Sequence, residues 1–595
     1  MAIPSYNCRN CSKADLLNSG TDQSFRSCIE PRSLQHLDSP EVRLVNKNRP
    51  SSSHTVLLEI ILQTKPPRIP LQVANRRNPV DTMPVPLVDL IAPPPLRHRP
   101  MSVAPHVLAN ASKAVPLCLF MSLPARVPAN SATDQLHPYT RILYPREELT
   151  KNCETGQIGV PHLRHYFEHT GRFPSPLLTA TETHSLGRSF VPDEETVLVD
   201  IVARWGDPSV SREYMRSGPR EFVAFHPQSV KAAIVTCGGL CPGINTVVRE
   251  IYLALKNIYG IREIYGVQMG YRGFYAPDLN TVPLSDEFVK GIQHRGGSIL
   301  GSTRGGFELS LIVDSIASRG LNQVYIIGGD GTQRGAYKIF EECMRRRLMV
   351  SVVGIPKTID NDIAIIDHSF GFVTAVQEAQ RAIRAAYVEA TSGFNGIGLV
   401  RLMGRNSGNI SMLATLAAGD VDVCLIPEID FDLDGPHGLL IHLENLLKQK
   451  GYCVVVVAEG AGLKHIQKAQ ESEHEVDASG NVRMPNVGLW LAEKINSWFS
   501  SRGKEVNLKY IDPSYEIRSV PAVATDNIMC TLLAQSAVHG AMAGFTGFTC
   551  GTVNTHHVMI PMKEIISKGR TRVDLSSRMW HRVLASTLQP PLKNK

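Results

Sequence analysis

The chain has 595 residues, 43% of them hydrophobic and 20% charged, with a formal net charge of +7. This is the composition of a soluble globular protein with room for several domains, and it excludes the fibrous and wholly disordered classes. Most of the basic excess and about half of the 39 prolines lie in residues 1–140. The nearly neutral remainder excludes a folded body that binds nucleic acid through charge.

Residues 1–140 have no sustained helical or strand period, and proline clusters such as Pro93-Pro94-Pro95 interrupt each short apolar stretch. Such a segment buries too little apolar surface to offset its ordering entropy, and it reads as a disordered or processed leader. Its Ser and Arg content suits an organelle transit peptide. Asp15, Asp22, Glu30, Asp38 and Glu41 are more acids than such peptides usually carry, and Met83, Met101 and Met121 are alternative starts. Met1–Arg9 lacks the basic and then apolar pattern of a secretory signal. No apolar run approaches the ~20 residues of a membrane helix. The 12 cysteines are scattered, and only Cys8 and Cys11 have CxxC spacing, which fits a reduced intracellular compartment.

From about residue 230 the pattern becomes strand, glycine loop, helix, repeated. Lys231–Thr236 is an apolar run ending at Gly238-Gly239, and Ile244, Val247, Val248, Ile251, Leu255 and Ile258 form one helical stripe behind it. Gln323–Ile327 stops at Gly328-Gly329, with a helix expected from Gly335 to Met344. Val350–Ile355 stops at Pro356, and Val373, Val376, Ala379, Ile383 and Tyr387 mark the next helix face. Ile397–Leu402, Val421–Ile426 and Cys453–Ala458 follow as strands, and Gly451 is expected to cap the helix before the last of them. Alternating strands and amphipathic helices specify an α/β fold with parallel sheets. The units between residues 230 and 550 are too many for one small sheet, so two doubly wound domains follow. Ligands bind such sheets beyond the carboxyl ends of the strands, where this chain collects glycines, acids and isolated bases.

The loop from Thr236 to Asn245 carries Gly238, Gly239 and Gly243 at a helix start, where backbone N–H groups can approach a phosphate. Its spacing matches neither a dinucleotide nor a Walker fingerprint, and a tight turn is the plainer reading. Gly328-Gly329-Asp330-Gly331-Thr332 joins three glycines to an acid and a hydroxyl, which suits polyphosphate and Mg²⁺ sharing one loop. An Asp capping the following helix is the alternative. In Pro356-Lys357-Thr358-Ile359-Asp360-Asn361-Asp362 two carboxylates at i and i+2 would lie on one side of an extended backbone, beside a lysine and a hydroxyl. Phosphoryl transfer to an alcohol needs a carboxylate to accept the proton and cations to hold the phosphoryl oxygens; a salt-bridged turn would use the same residues. Gly301 to Gly306 sets Arg304 among glycines, Met403-Gly404-Arg405 repeats an arginine after a strand, and Tyr515 to Arg518 adds another.

In this order, the glycine loop at 238–243, SxRGG at 302–306, GGDGT at 328–332, PKTIDND at 356–362, MGR at 403–405, Glu459 and YxxR at 515–518 resemble the 6-phosphofructokinases, and among them the plant-type ATP-dependent branch. The similarity covers roughly residues 200–590. It implies a phosphofructokinase-like fold with the active site between two α/β domains. It also implies an N-terminal extension over 141–229 and a catalytic region over 230–590 of interleaved nucleotide-binding and sugar-phosphate-binding domains, while the leader over 1–140 lies outside it.

The implied reaction moves the ATP γ-phosphoryl group to the 1-hydroxyl of fructose 6-phosphate. Asp360 is then the base and Asp330 the Mg²⁺ ligand. Gly239, Arg304, Gly305, Gly329, Asp330, Gly331 and Thr332 cradle ATP. Thr358, Ile359, Asp360, Met403, Gly404, Arg405, Glu459, Tyr515, Glu516, Ile517 and Arg518 line the sugar-phosphate site, with Lys357 and Asp362 in supporting positions. Pyrophosphate-dependent relatives carry an acid where this chain has Gly331, so an open Gly331 implies ATP, while Lys357 points toward the pyrophosphate enzymes. An arginine seven residues before MGR in bacterial members is Gly396 here, and their HIQR is Tyr515 to Arg518. The resemblance further implies a homo-oligomer (tetramer or dimer), no nucleic-acid or membrane partner, and a cytoplasmic location, or the plastid stroma if the leader is a transit peptide. A pyrophosphate-dependent enzyme and a silent sugar-phosphate-binding subunit are the alternatives. Cys237 and Cys241 flank the phosphate loop and raise the question of redox control.

Overall fold

The computed structural model describes residues 156–178, 190–202, 211–279, 281–467 and 484–592, all within the unit Ala129–Lys595. The expected leader over residues 1–140 lies outside the described residues. The fold is mixed α/β, built on two main sheets.

The larger sheet has ten strands. Its centre runs Phe548–Val553, Ser351–Pro356, Gln323–Gly328, Lys231–Thr236 and Glu263–Val267, all parallel. Thr236 stands opposite Ile327, and Ile327 opposite Ile355. The loops that leave the carboxyl ends of these three strands therefore emerge level and side by side. Gln323–Gly328 and Ser351–Pro356 are buried along their whole length, which is why they read as unbroken apolar runs. Beyond Phe548–Val553 the edge is antiparallel: His556–Pro561 pairs with Glu213–Arg216, so residues before 230 extend this sheet.

The smaller sheet is wholly parallel, in the order Val423–Leu425, Tyr452–Ala458, Gly396–Leu402, Asn507–Ile511. Leu402 pairs with Ala458, so Met403 and Glu459 leave the sheet together. Gly451 caps the helix Leu439–Lys450 in the left-handed region at φ 79, as the sequence predicts.

Two expectations shift in detail. The helix Phe372–Thr391 buries Phe372, Thr374, Ala375, Ala379, Ile383, Ala386 and Ala390; of the expected face Ala379 and Ile383 are fully buried, and Val376 and Tyr387 pack partly buried against the core. Its alanines permit close packing on the strand Gly396–Leu402: a Cβ on Gly396 would lie 2.0 Å from the Ala390 carbonyl oxygen, and one on Gly398 2.7 Å from that of Ala386. An arginine at Gly396 is thus excluded by helix-on-sheet contact. The helix after Gly329 begins at Asp330, five residues before the expected Gly335, because Asp330 and Thr332 already belong to its first turn.

Candidate active site

A cleft of about 740 Å³ opens where the strand-end loops of the two sheets meet. The larger sheet contributes Gly239, Arg304, Gly305, Gly329, Asp330, Gly331, Thr332, Lys357, Thr358, Ile359, Asp360 and Asp362. The smaller sheet and the turn behind it contribute Met403, Arg405, Glu459 and Arg518. The sequence-predicted residues Gly404, Tyr515, Glu516 and Ile517 do not line this cleft. Gly404 holds the backbone at φ 134. Tyr515 is 74% exposed with its ring 5.1 Å from the Arg518 guanidinium carbon, and Ile517 is wholly buried in the core.

The Lys357–Asp362 loop is not extended. Asn361 takes φ 51 and its side-chain oxygen accepts from Ser369 N at 2.9 Å, which turns the chain between the two carboxylates. Thr358 Oγ1 donates to Asp362 Oδ1 at 2.9 Å and accepts from Asp360 N at 3.2 Å. From the other side, Asn409 Nδ2 donates to the carbonyls of Asp360 and Asn361 at 3.3 and 3.1 Å. These bonds hold Asp360 in place while leaving its carboxylate unused: Asp360 Oδ1 is buried with no hydrogen-bond partner. Burial, then the neighbouring Asp362 and Glu459, push its carboxyl up to about 7. Asp362 is also raised, chiefly by burial.

Around these acids stand cations. Lys357 Nζ donates to the Gly239 carbonyl at 2.6 Å, tying the first glycine loop to the carboxylate loop. A Cβ on Gly239 would sit 3.6 Å from the Arg304 guanidinium and 3.9 Å from that of Arg518. Arg334 pairs with Asp330 at 2.8 Å, and Arg405 with Glu459 at 3.7 Å. Gly331 faces open space, with nothing within 4 Å of an added Cβ.

Four contributions escape sequence reasoning. Arg401 pairs with Glu459 at 3.2 Å and with Asp512 at 2.9 Å, although it looked like an ordinary strand residue. Tyr271 and Phe307 form an edge-to-face pair with ring centroids 5.2 Å apart on the cleft wall. Arg334 and Lys338 project from the helix behind Asp330, and their i, i+4 spacing is the one signal that could have found them. Arg570 comes from far down the chain. The Cys237 and Cys241 thiols are pushed up to about 12 by burial, which keeps them protonated and poorly reactive.

The arrangement offers an anion-binding floor, a carboxylate that can take a proton near neutrality, and all-oxygen acids for a hard cation. Among the described residues no cluster of three His, Cys, Asp or Glu could hold a metal by protein alone.

A phosphofructokinase family model matches residues 231–541. ATP-dependent 6-phosphofructokinase 4, chloroplastic, of Arabidopsis thaliana is 53% identical over 461 residues, covering 76% of this chain and 86% of that protein. ATP-dependent 6-phosphofructokinase 7 of the same plant is 54% identical over 431 residues, covering 72% and 88%. Among solved structures, the pyrophosphate-dependent phosphofructokinase from Marinobacter aquaeolei is similar in fold, with a TM-score of 0.50 at 20% identity over 62% of this chain and 94% of its own. On the matched span and these identities, the chain belongs to the phosphofructokinase family.

Proposed function

We propose that this protein transfers the γ-phosphoryl group of ATP to the 1-hydroxyl of fructose 6-phosphate, giving fructose 1,6-bisphosphate and ADP. The observation that carries the reading is Asp360: a buried, unpartnered carboxylate oxygen in a cleft shared with Asp330 and an open Gly331. Asp360 takes the 1-hydroxyl proton, the freed oxygen forms its bond to the γ-phosphorus, and the bond from that phosphorus to the bridging oxygen breaks, leaving its electron pair on ADP. Lys357, Arg304 and Arg518 stand where charge spreads on the phosphoryl oxygens. Gly239, Gly305, Gly329, Gly331 and Thr332 form the nucleotide side, with Tyr271 and Phe307 as the apolar wall for its base. Thr358, Ile359, Met403, Arg405, Glu459 and Arg518 form the sugar-phosphate side. Asp330 would hold a Mg²⁺ that arrives with the nucleotide, which would supply charge neutralisation to the phosphates.

Donor choice rests on Gly331. A carboxylate there would project into the phosphate side of the cleft, and its absence leaves room for ATP. Lys357 is the feature that favours pyrophosphate; the ATP-dependent relatives at 53% and 54% identity support the first reading. A coupled assay with each donor tests it: turnover is expected with ATP and fructose 6-phosphate, and turnover with pyrophosphate but not ATP overturns it. We read residues 230–590 as the catalytic region, 141–229 as an N-terminal extension, and the protein as a homo-oligomer, which light scattering checks. No helix among the described residues is long and apolar enough to cross a membrane. The chloroplastic relative supports the plastid stroma as the alternative to a cytoplasmic location. Mass spectrometry of the mature N-terminus decides between them.

A further inference from the structure

The sequence motifs account for each acid of the cleft, but not for the cation that two of them share. Arg570 Nε lies 3.6 Å from Asp330 Oδ2 and 3.8 Å from Asp362 Oδ2. Its charge also favours the ionised form of Asp360. It therefore stands between the acid assigned to the metal and the loop that carries the base.

Its main chain is fixed more firmly than its head. Arg570 bridges Ile363 in antiparallel fashion, and Thr571 N donates to the Asp362 carbonyl at 2.9 Å. Val573 N donates to Glu428 Oε1 at 2.8 Å, and the same carboxylate accepts from Gly408 N just after the MGR turn. The chain reaches this position by a reversal at Gly569, φ 68, after the helix Met562–Lys568. By contrast, both carboxylate contacts of the guanidinium exceed hydrogen-bond length, and the side chain is 36% exposed on the cleft. A planar fork with five donors, anchored at its base and loosely held at its tip, suits an anion that comes and goes.

We propose that Arg570 is a catalytic residue: before nucleotide binds it bridges Asp330 and Asp362, and when Asp330 engages the nucleotide's metal the guanidinium moves onto the γ-phosphoryl oxygens. The inference rests on the kinase reading above. It makes the C-terminal segment part of the active site rather than a packing appendage.

The test compares wild type, Arg570→Lys and Arg570→Ala in ATP-dependent turnover, and by calorimetry in binding of Mg·ADP and of a non-hydrolysable ATP analogue with Mg²⁺. Arg570→Ala is expected to lower kcat by about 10²-fold or more, with KM for fructose 6-phosphate within about threefold, the signature of a contact to the γ-phosphoryl group that strengthens in the transition state. It is expected to weaken the analogue about tenfold or more while leaving ADP, which lacks the γ-phosphoryl group, within about threefold. Arg570→Lys keeps the charge and the main-chain pairing and should fall between; if the alanine variant does not fold, the lysine variant carries the same comparison. A kcat within about threefold of wild type, or equal weakening of both nucleotides, overturns the assignment. Absence of wild-type turnover with ATP overturns the kinase reading instead.

Discussion

Lys357 Nζ donates to the Gly239 carbonyl across 118 residues of sequence, at 2.6 Å. The bond fastens the loop after the Lys231–Thr236 strand to the loop after Ser351–Pro356, which the parallel pairing of their neighbours has already set level. Burial lowers the affinity of Lys357 for its proton, and Arg304 and Arg518 act in the same direction against the nearby Cys241 and Cys237. Lys357→Met should lower kcat with ATP by about 10-fold to 10²-fold, because a charge facing the transferred group is lost. Stability should change little, since the desolvation cost of a buried ammonium and the loss of its hydrogen bond offset one another. Steady-state kinetics and a melting curve read the two effects; a large fall in melting temperature with kcat intact would mean the lysine is only a brace.

Asp360→Asn is expected to reduce kcat by at least ~10²-fold with modest change in KM, the scale for losing a general base. The pH profile gives a second check. Asp360 must be ionised to accept the proton, and its carboxyl titrates at about 7, so kcat/KM should fall as pH drops through that value. Asp362→Asn removes the second largest cause of the rise and should move this acid limb to lower pH. The folded protein holds this proton more tightly than the unfolded chain does. The stabilising share of Asp360 is therefore present below its unfolded value of 3.8 and is lost as pH climbs toward 7.

Gly331→Asp places a carboxylate where an added Cβ meets nothing within 4 Å, so the fold should tolerate it. ATP turnover should fall by about 10²-fold or more, through repulsion of a polyphosphate in a site of low dielectric. Kinetics with ATP and a thermal melt, run together, separate a donor effect from unfolding. Retained ATP turnover would show that the position does not govern the donor.

Arg401 clamps Glu459 and Asp512, and it also donates to Ser514 Oγ at 2.9 Å. It thereby sets the turn that carries Tyr515 to Arg518. Arg401→Ala should raise KM for fructose 6-phosphate by about tenfold while leaving KM for ATP near wild type, since it removes the closer of the two cations on the half-buried Glu459 and loosens the turn. Equal effects on both substrates would mark it as a general structural residue.

Gly396→Ala tests the packing account. A Cβ 2.0 Å from the Ala390 carbonyl forces the helix Phe372–Thr391 off its sheet. A loss of about 1–3 kcal/mol is expected in denaturant unfolding; a neutral result would show that the helix shifts freely.

The sequence alone determined the strand-end loops and their chemistry. Unbroken apolar runs mark strands buried on both faces, and glycines, acids and isolated arginines at their ends have no other reason to gather there. The stripe Ile244, Val247, Val248, Ile251 gave a helix for the same kind of local reason, a period that one buried face imposes. What local pattern could not carry was convergence. Asn361 bends the loop that alternation would have drawn straight. Gly396 is a glycine because a carbonyl oxygen lies against it, not because a turn demands it. Arg401 and Arg570 look like strand and loop arginines until pairing of strands and reversal at Gly569 bring them to Glu459 and Asp330. Residue type and spacing fix local conformation over a few bonds. Only the closing of two sheets on one another decides which distant charges meet in low dielectric, and hence how Asp360 is poised.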